Sequence, residues 1–256
     1  MLIGIKHLIA RTVPPSLRQQ LRRWYHPRVV ASFSEERWPP AAGVRQLVRR
    51  GDVVVDAGAN VGYVTALLAK WVGPTGRVFS FEPVPITADL LKRSVARLGL
   101  KQVQVLSCGV SDREGSARMA IPRYADGSEN LYESKLLEEA EEARNLEAVA
   151  VPLRRLDDVL QEDRNRLTFM KIDVEGHEEA ALRGGLNTLR EVKPALLIEI
   201  MGNLDEPESS AGRVLALLSE LGYAPYFWES GWRARHLGEA AVDYFFLTTH
   251  HLEMVK

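Results

Sequence analysis

With 256 residues, 46% of them apolar and 26% charged, the chain is long enough to bury the core of one α/β domain and polar enough to be globular. Its single cysteine, Cys108, excludes an internal disulfide and fits a reducing, cytoplasmic setting; no apolar run approaches the roughly 18 residues of a membrane span, and Met1–Ala10 is too interrupted for a signal peptide. The net charge of −1 hides an asymmetry, because residues 1–50 carry ten Lys/Arg against two Glu, a sum of +8 that leaves −9 for residues 51–256.

Residues 1–50 therefore read as a basic N-terminal arm ahead of a catalytic domain over 51–256. Pro14-Pro15 and Pro39-Pro40 limit its helices. Cations interleaved with Trp24, Tyr25, Phe33 and Trp38 suit first a helical cap docked on the acidic domain. They suit second a peripheral contact with an anionic membrane surface, for which the apolar opening followed by Arg18, Arg22 and Arg23 is the relevant pattern. Nucleic acid is the least favoured partner.

From Asp52 onward strands and helices alternate, the pattern of a mostly parallel sheet covered on both faces. Val53–Asp56 reads as a buried strand, followed by the turn Gly58-Ala-Asn-Val-Gly62 and a helix to about Lys70, closed by Gly73-Pro-Thr-Gly76. Gly58 and Gly62 permit positive φ and let a ligand approach the backbone. The helix start behind them offers unpaired N–H groups and a positive dipole end. Val78–Phe81 is a second strand ending in Glu82, at the spacing of an acid that binds ribose hydroxyls. Asn60 stands where the dinucleotide fingerprint has its second glycine, which disfavours a pyrophosphate and therefore NAD. S-adenosylmethionine, with a ribose and no phosphate, fits the turn. A helix near Thr87–Leu98 with Gly99 as its cap and a strand, Val103–Leu106, come next. Ala117–Pro122 and Ala148–Leu153 are expected to pair as an inserted hairpin. The polar stretch between them, Asp126–Glu147, reads as a loop plus a surface helix, either a lid over a second substrate or a plain loop.

Leu167–Ile172 is the fourth parallel strand, followed by a helix from about His177 to Arg183, a break at Gly184-Gly185, a helical turn over Leu186–Val192 and a fifth strand, Pro194–Ile200. Ser209–Leu221 is a helix with Gly222 behind it. Tyr226–Trp228 and Tyr244–Leu247 are expected to finish the sheet as an antiparallel hairpin through Ser230-Gly231. Asp56, Glu82, Ser107, Asp173 and Glu199 then share the carboxyl edge of the sheet, where ligands bind in such folds, and a common cleft is predicted. In Lys171-Ile-Asp-Val-Glu-Gly-His-Glu178, Asp173 ends a strand and Gly176 allows a tight turn. Glu178 and Glu179 suit a helix N-terminus for structural reasons. His177 is either a general base or a packing and capping residue. Asp173, Glu175 and Glu199 offer oxygen ligands for a divalent cation, but no histidine stands at ligand spacing around them, and a metal is not favoured.

Taken together, Val55-Asp-Ala-Gly-Ala-Asn-Val-Gly62, Phe81-Glu-Pro83, Gly109-Val-Ser-Asp-Arg-Glu-Gly115, Ile172-Asp-Val-Glu-Gly-His-Glu178 and Pro194…Glu199 resemble the FkbM-type branch of the class I S-adenosylmethionine-dependent methyltransferases, over roughly residues 50–202. The resemblance implies a Rossmann-like α/β sheet, mostly parallel with an antiparallel last strand and helices on both faces. It implies that Gly58, Ala59, Asn60 and Gly62 wrap the amino-acid end of the cofactor with Asp56 beneath the turn. Glu82 would grip the ribose, and Ser107 and Cys108 would lie beside the adenine. Asp173, shared between cofactor and acceptor, would face the acceptor with Glu175, His177 and Glu199. Most such enzymes methylate hydroxyls of sugars, polyketides or lipid-linked glycans, so the expected reaction is O-methylation of a small or glycan acceptor, with Asp173 or His177 taking the proton. The alternatives are a methyltransferase acting on RNA or protein, with the basic arm supplying contacts, and a non-catalytic binding module. The Asn/Asp-Pro-Pro-aromatic run of many nucleic-acid N-methyltransferases is replaced here by Ile172-Asp-Val-Glu.

Overall fold

The computed structural model describes residues 15–120, 135–136 and 148–254. In chain order its strands are β1 (Val53–Ala57), β2 (Arg77–Phe81), β3 (Val103–Leu106), β4 (Gly109–Val110), β5 (Gly115–Ala120), β6 (Lys135–Leu136) and β7 (Val149–Arg154). They continue with β8 (Leu167–Ile172), β9 (Ala195–Glu199), β10 (Ala224–Trp228), β11 (Trp232–Ala234) and β12 (Asp243–Leu247). The helices are α1 (Pro15–Ala31), α2 (Ala41–Leu47), α3 (Tyr63–Val72), α4 (Pro85–Leu98) and α5 (Leu156–Val159), then α6 (Glu178–Gly184), α7 (Leu186–Glu191), α8 (Ser210–Glu220) and α9 (Thr249–Met254).

The main sheet has the order β11-β10-β12-β9-β8-β1-β2-β3. β3, β2, β1, β8 and β9 run parallel, and β12 is antiparallel to β9. The order reverses between β1 and β8, and in open sheets the ligand crevice lies at such a switch point. β1 is buried along its whole length, as a central strand covered on both faces must be. Alternation along the strands divides the core into two layers. One holds Val53, Val55, Phe79, Met170, Leu196 and Tyr244 under α6 to α8; the other holds Val54, Val78, Phe169, Leu197 and Phe245 under α2 and α3.

The five parallel strands and their crossover helices match the sequence reading within two or three residues. The expected closing hairpin does not. β10 turns through Ser230-Gly231 into β11, a short strand that was not foreseen, while β12 inserts between β10 and β9. Burial explains the choice: Tyr244 to Leu247 is almost continuously apolar and fully covered, whereas Trp232-Arg-Ala234 carries a charge and takes the edge, where one is tolerated. β5 and β7 pair antiparallel as expected, but in a separate sheet of order β4-β7-β5-β6. Of Asp126–Glu147, only Lys135–Leu136 falls among the described residues, as a strand on β5.

The described part of the chain before residue 50 packs on the core. Ala41, Val44, Leu47 and Val48 pack with Leu67, Leu68 and Trp71, Trp38 stacks on Trp71, and the Trp71 indole N–H donates to Glu35 at 2.9 Å. α1 lies against α4, with Arg23 paired to Asp89 at 2.9 Å and Val30 packed on Val61 and Leu90. Among the described residues no helix is long and apolar enough to cross a membrane.

Candidate active site

β1 ends in a turn held from both sides. The N–H groups of Gly58 and Ala59 donate to the Phe81 carbonyl at 3.0 and 2.9 Å, and the Asp173 N–H donates to the Ala57 carbonyl at 3.1 Å. Gly58 (φ 78°), Asn60 (φ 50°) and Gly62 (φ 100°) all adopt left-handed backbone. Beyond the positive φ and ligand approach read from the sequence, a Cβ on Gly58 would collide with the Asp173 carbonyl oxygen, and one on Gly62 with Leu91 of α4, so both glycines also serve close packing of the protein.

Glu82 follows β2, buried, with each carboxylate oxygen already holding one backbone donor: Asn60 N–H to Oε2 at 2.9 Å and Val84 N–H to Oε1 at 2.9 Å. This fixes the carboxylate and leaves each oxygen a lone pair. Burial pushes its pKa up to about 7, against the pull of those two N–H groups, with Asp56 and Asp173 adding to the rise. Asp56 lies wholly buried beneath the turn. It accepts from Thr65 Oγ1 at 2.6 Å, and Thr65 in turn contacts Ser80 at 3.1 Å. Burial raises its pKa, opposed chiefly by Lys171.

Lys171, 7% exposed, places its ammonium 2.7 Å from Asp173 Oδ2 and 3.9 Å from Asp56 Oδ1. Burial alone would lower its pKa; Asp173, Asp56 and Glu199 outweigh burial and hold it above its ordinary value. Glu199 and its cross-strand neighbour Asp243 complete this polar shelf. Burial pushes Glu199 up to about 7, reinforced by Asp173 and Asp243, and burial also raises Asp243. Ser80, Asp56, Lys171 and Glu199 near the carboxyl ends of the parallel strands, and Asp243 at the amino end of antiparallel β12, thus continue the face that lower down carries the apolar layer beneath α2 and α3.

After β8 the chain turns through Glu175 (φ 52°) and Gly176 (φ 91°) to His177, the N-cap position of α6. Glu178 is buried and accepts from the Gly176 N–H at 2.8 Å, and Glu179 pairs with Arg183 and Arg213; both are structural, as the sequence indicated. His177 Nε2 lies 2.9 Å from Ser111 Oγ, and that hydroxyl donates to Asp112 Oδ1 at 3.2 Å. A hydroxyl has one proton, so Ser111 accepts from Nε2–H, which leaves Nδ1 as the basic nitrogen. Burial lowers the His177 pKa, with Asp112 opposing, so the ring is neutral at physiological pH.

A cleft open to solvent runs along these groups. Its walls include Gly58, Asn60, Glu82, Cys108, Asp173, Glu175 and His177, so seven of the residues singled out from the sequence meet there. Asp56, Ala59, Gly62, Ser107 and Glu199 are not in the wall. Asp56, Ala59 and Gly62 stand beneath or behind the turn, Ser107 immediately precedes Cys108, and Glu199 belongs to the shelf beside Asp173. Burial drives the Cys108 thiol up to about 11, so it is a neutral wall group. Among the described residues no three His, Cys, Asp or Glu side chains group as metal ligands, and one Asp173 oxygen is taken by Lys171. The sequence reading missed Lys171, Thr65, Ser111 and Asp243. Lys171 alone had a visible signal, an interior cation in a strand two residues before Asp173.

The donor set fits a ribonucleoside ligand. A fixed carboxylate with free lone pairs suits a ribose diol, Ser107 Oγ is buried with no partner among the described residues, and the wall near Val84, Val110 and Met119 is apolar. A parallel sheet of this order with an acid after the second strand defines the Rossmann-like fold of class I methyltransferases. Residues 56–225 match the methyltransferase FkbM domain, and the chain belongs to that family of S-adenosylmethionine-dependent methyltransferases. It is 31% identical over 193 residues to methyltransferase sdnD of Sordaria araneosa, covering 66% of this chain and 73% of that one. It is 26% identical over 200 residues to 31-O-demethyl-FK506 methyltransferase FkbM of Streptomyces tacrolimicus, covering 69% and 74%. The crystal structure of methyltransferase FkbM from Methylobacillus flagellatus superimposes with a TM-score of 0.50 at 21% identity; the match takes in 77% of this chain and 43% of that one, so this chain spans less than half of that protein.

Proposed function

We propose that the chain is an O-methyltransferase acting on a hydroxyl of a small or glycan acceptor. What carries this is one arrangement: a neutral imidazole with a fixed tautomer lines the same cleft as the carboxylate suited to a ribose. The naming of the Streptomyces relative for methylation at an oxygen points the same way. S-adenosylmethionine supplies an already activated methyl group, so the protein has to align the acceptor, exclude water and take up its proton. Glu82 binds the ribose hydroxyls, the backbone of Gly58 to Asn60 lies along the cofactor, and Asp173 orients the acceptor hydroxyl through the oxygen that Lys171 leaves free. As the bond from acceptor oxygen to methyl carbon forms and the sulfur–carbon bond breaks, the hydroxyl proton passes to His177 Nδ1. The resulting imidazolium keeps its Nε2–H on Ser111 and is favoured by the Asp112 charge. Such proton removal contributes roughly 10²–10⁴-fold.

The test is kcat of Asp173→Asn and His177→Ala on a hydroxyl acceptor, with S-adenosylhomocysteine affinity measured alongside. A large kcat loss with cofactor affinity retained is expected for His177→Ala. Full kcat in both variants would remove these residues from the mechanism.

A further inference from the structure

α1 carries four large apolar side chains on the side it does not bury, with Arg28 following them on the same face. Leu17, Leu21, Trp24 and Tyr25 are 46%, 46%, 60% and 55% exposed. At about 100° per residue they fall within one arc of about 100°. The opposite side holds Arg23, Pro27 and Val30. Arg23 is fixed to Asp89 at 2.9 Å, Pro27 is buried, and Val30 packs on Val61 of the cofactor turn and on Leu90. The helix is therefore docked, and its outer stripe cannot roll inward to hide. A surface helix normally turns polar side chains outward, so four large apolar groups in one outward stripe mark a contact surface.

The charge of this part of the sequence identifies the occupant. Residues 1–31 contain Lys6, Arg11, Arg18, Arg22, Arg23 and Arg28 and no Asp or Glu. The Arg28 guanidinium sits 3.7 Å from the centre of the Trp24 ring, at the middle of the stripe. The rest of the molecule beyond residue 50 sums to −9, so an anionic surface attracts this end and repels the other. Two copies meeting through this patch would set like charges face to face. Leucines to enter the acyl boundary, Trp and Tyr at headgroup depth and arginines for anionic headgroups are the composition of an interfacial helix. We propose that α1 is a membrane-docking helix that seats the enzyme on an anionic lipid bilayer, with Leu17, Leu21, Trp24 and Tyr25 inserted at the interface.

Flotation of the full chain with neutral phosphatidylcholine vesicles, and with vesicles containing 30 mol% phosphatidylglycerol, tests this directly. The expected result at 0.15 M salt is recovery with the anionic vesicles and not with the neutral ones, falling at 0.5 M salt as the headgroup attraction is screened. Leu21→Glu/Trp24→Glu alters only exposed side chains, so its melting temperature should match the parent while its vesicle partition falls at least tenfold. Failure of the parent to float with anionic vesicles overturns the proposal, as does flotation of the double variant at the parental level. A concentration-dependent dimer that the double variant abolishes, with no vesicle binding, would assign the stripe to a second copy and overturn it too.

Discussion

Replacing Lys171 by Met is the most direct probe of how the site is held together. The ammonium is the buried cation among Asp56, Asp173, Glu199 and Asp243, 2.7 Å from Asp173 and 3.9 Å from Asp56. Asp56 has no exposure, and its Oδ1 has no hydrogen-bond partner apart from that ion pair. Methionine fills most of the volume and removes the charge, so packing loss is small and the uncompensated carboxylates dominate. Breaking one side of a buried pair costs about 3–5 kcal/mol, which for a domain of this size is a fall of roughly 6–20 °C in Tm. Asp173→Asn removes the shorter contact but keeps Lys171 beside Asp56 and relieves carboxylate repulsion, and should cost less, about 1–3 kcal/mol. The double variant should then be clearly less destabilised than the sum, by at least ~1 kcal/mol. Acids whose folded-state pKa is raised contribute stability below their unfolded value and lose it as pH rises through the folded one. Without the lysine, Asp56, Glu199 and Asp243, already raised by burial, rise further, so the defect should be larger at pH 8 than at pH 5.5. Denaturant unfolding of the four proteins at both pH values decides it. A Lys171→Met variant within ~1 kcal/mol of the parent, with strictly additive effects, would refute the ion pair as the organising contact.

Gly58→Ala should be far more damaging than Gly176→Ala. Both positions need left-handed backbone, worth roughly 1–2 kcal/mol against alanine, but a Cβ meets nothing at Gly176 and a backbone carbonyl at Gly58; equal melting temperatures would contradict the close approach of the two turns. For Glu82, with a pKa of about 7 in the free protein, binding through the ionised carboxylate predicts that affinity for S-adenosylhomocysteine falls roughly tenfold per pH unit below 7. The sign is opposite for the free fold: a carboxyl raised from 4.5 to about 7 contributes stability below 4.5 that is lost as pH rises through 7. Calorimetric titration of Glu82→Gln should show weaker binding and no such pH slope; an unchanged profile would exclude the ribose role. Ser111→Ala leaves His177 Nε2–H without its acceptor and should lower kcat by about tenfold, the equivalent of ~1.4 kcal/mol, with KM for the cofactor unchanged. Unaltered kcat there would detach the hydroxyl from proton transfer.

Much of this was legible in the sequence because the relevant signals are local. A buried run stopping at Asp56, a glycine turn, and an acid after the next strand are each set by a few neighbouring residues. What stayed hidden depends on partners distant in the chain. Lys171 looks misplaced within an apolar strand until Asp56 of β1 and Asp173 are brought beside it. Ser111 acquires its role only when α6 packs closely enough on β4 to bring His177 to it, an approach that Gly184 permits because a Cβ there would strike the Ser111 carbonyl. The closing strands were misread for a related reason: Ser230-Gly231 is a sound turn, but it cannot say which strand comes back, and the competition was settled by how much apolar surface each candidate buries.

The two halves of the site are therefore one mechanical unit. The turn after β1 is fastened to β2 through Phe81 and Glu82, and to the turn after β8 through the Ala57–Asp173 hydrogen bond and the packing of Gly58 on Asp173. The same Asp173 is gripped by Lys171, whose other neighbour, Asp56, lies beneath the cofactor turn. Methyl transfer needs donor and acceptor aligned to within fractions of an ångström, and most of its rate comes from that alignment. On the function proposed above, building these two loops against each other at the backbone sets the separation of donor and acceptor before either arrives. The pairing of Lys171 with Asp56 and Asp173 ties the end of β1 to the end of β8 at the same level as the backbone contacts.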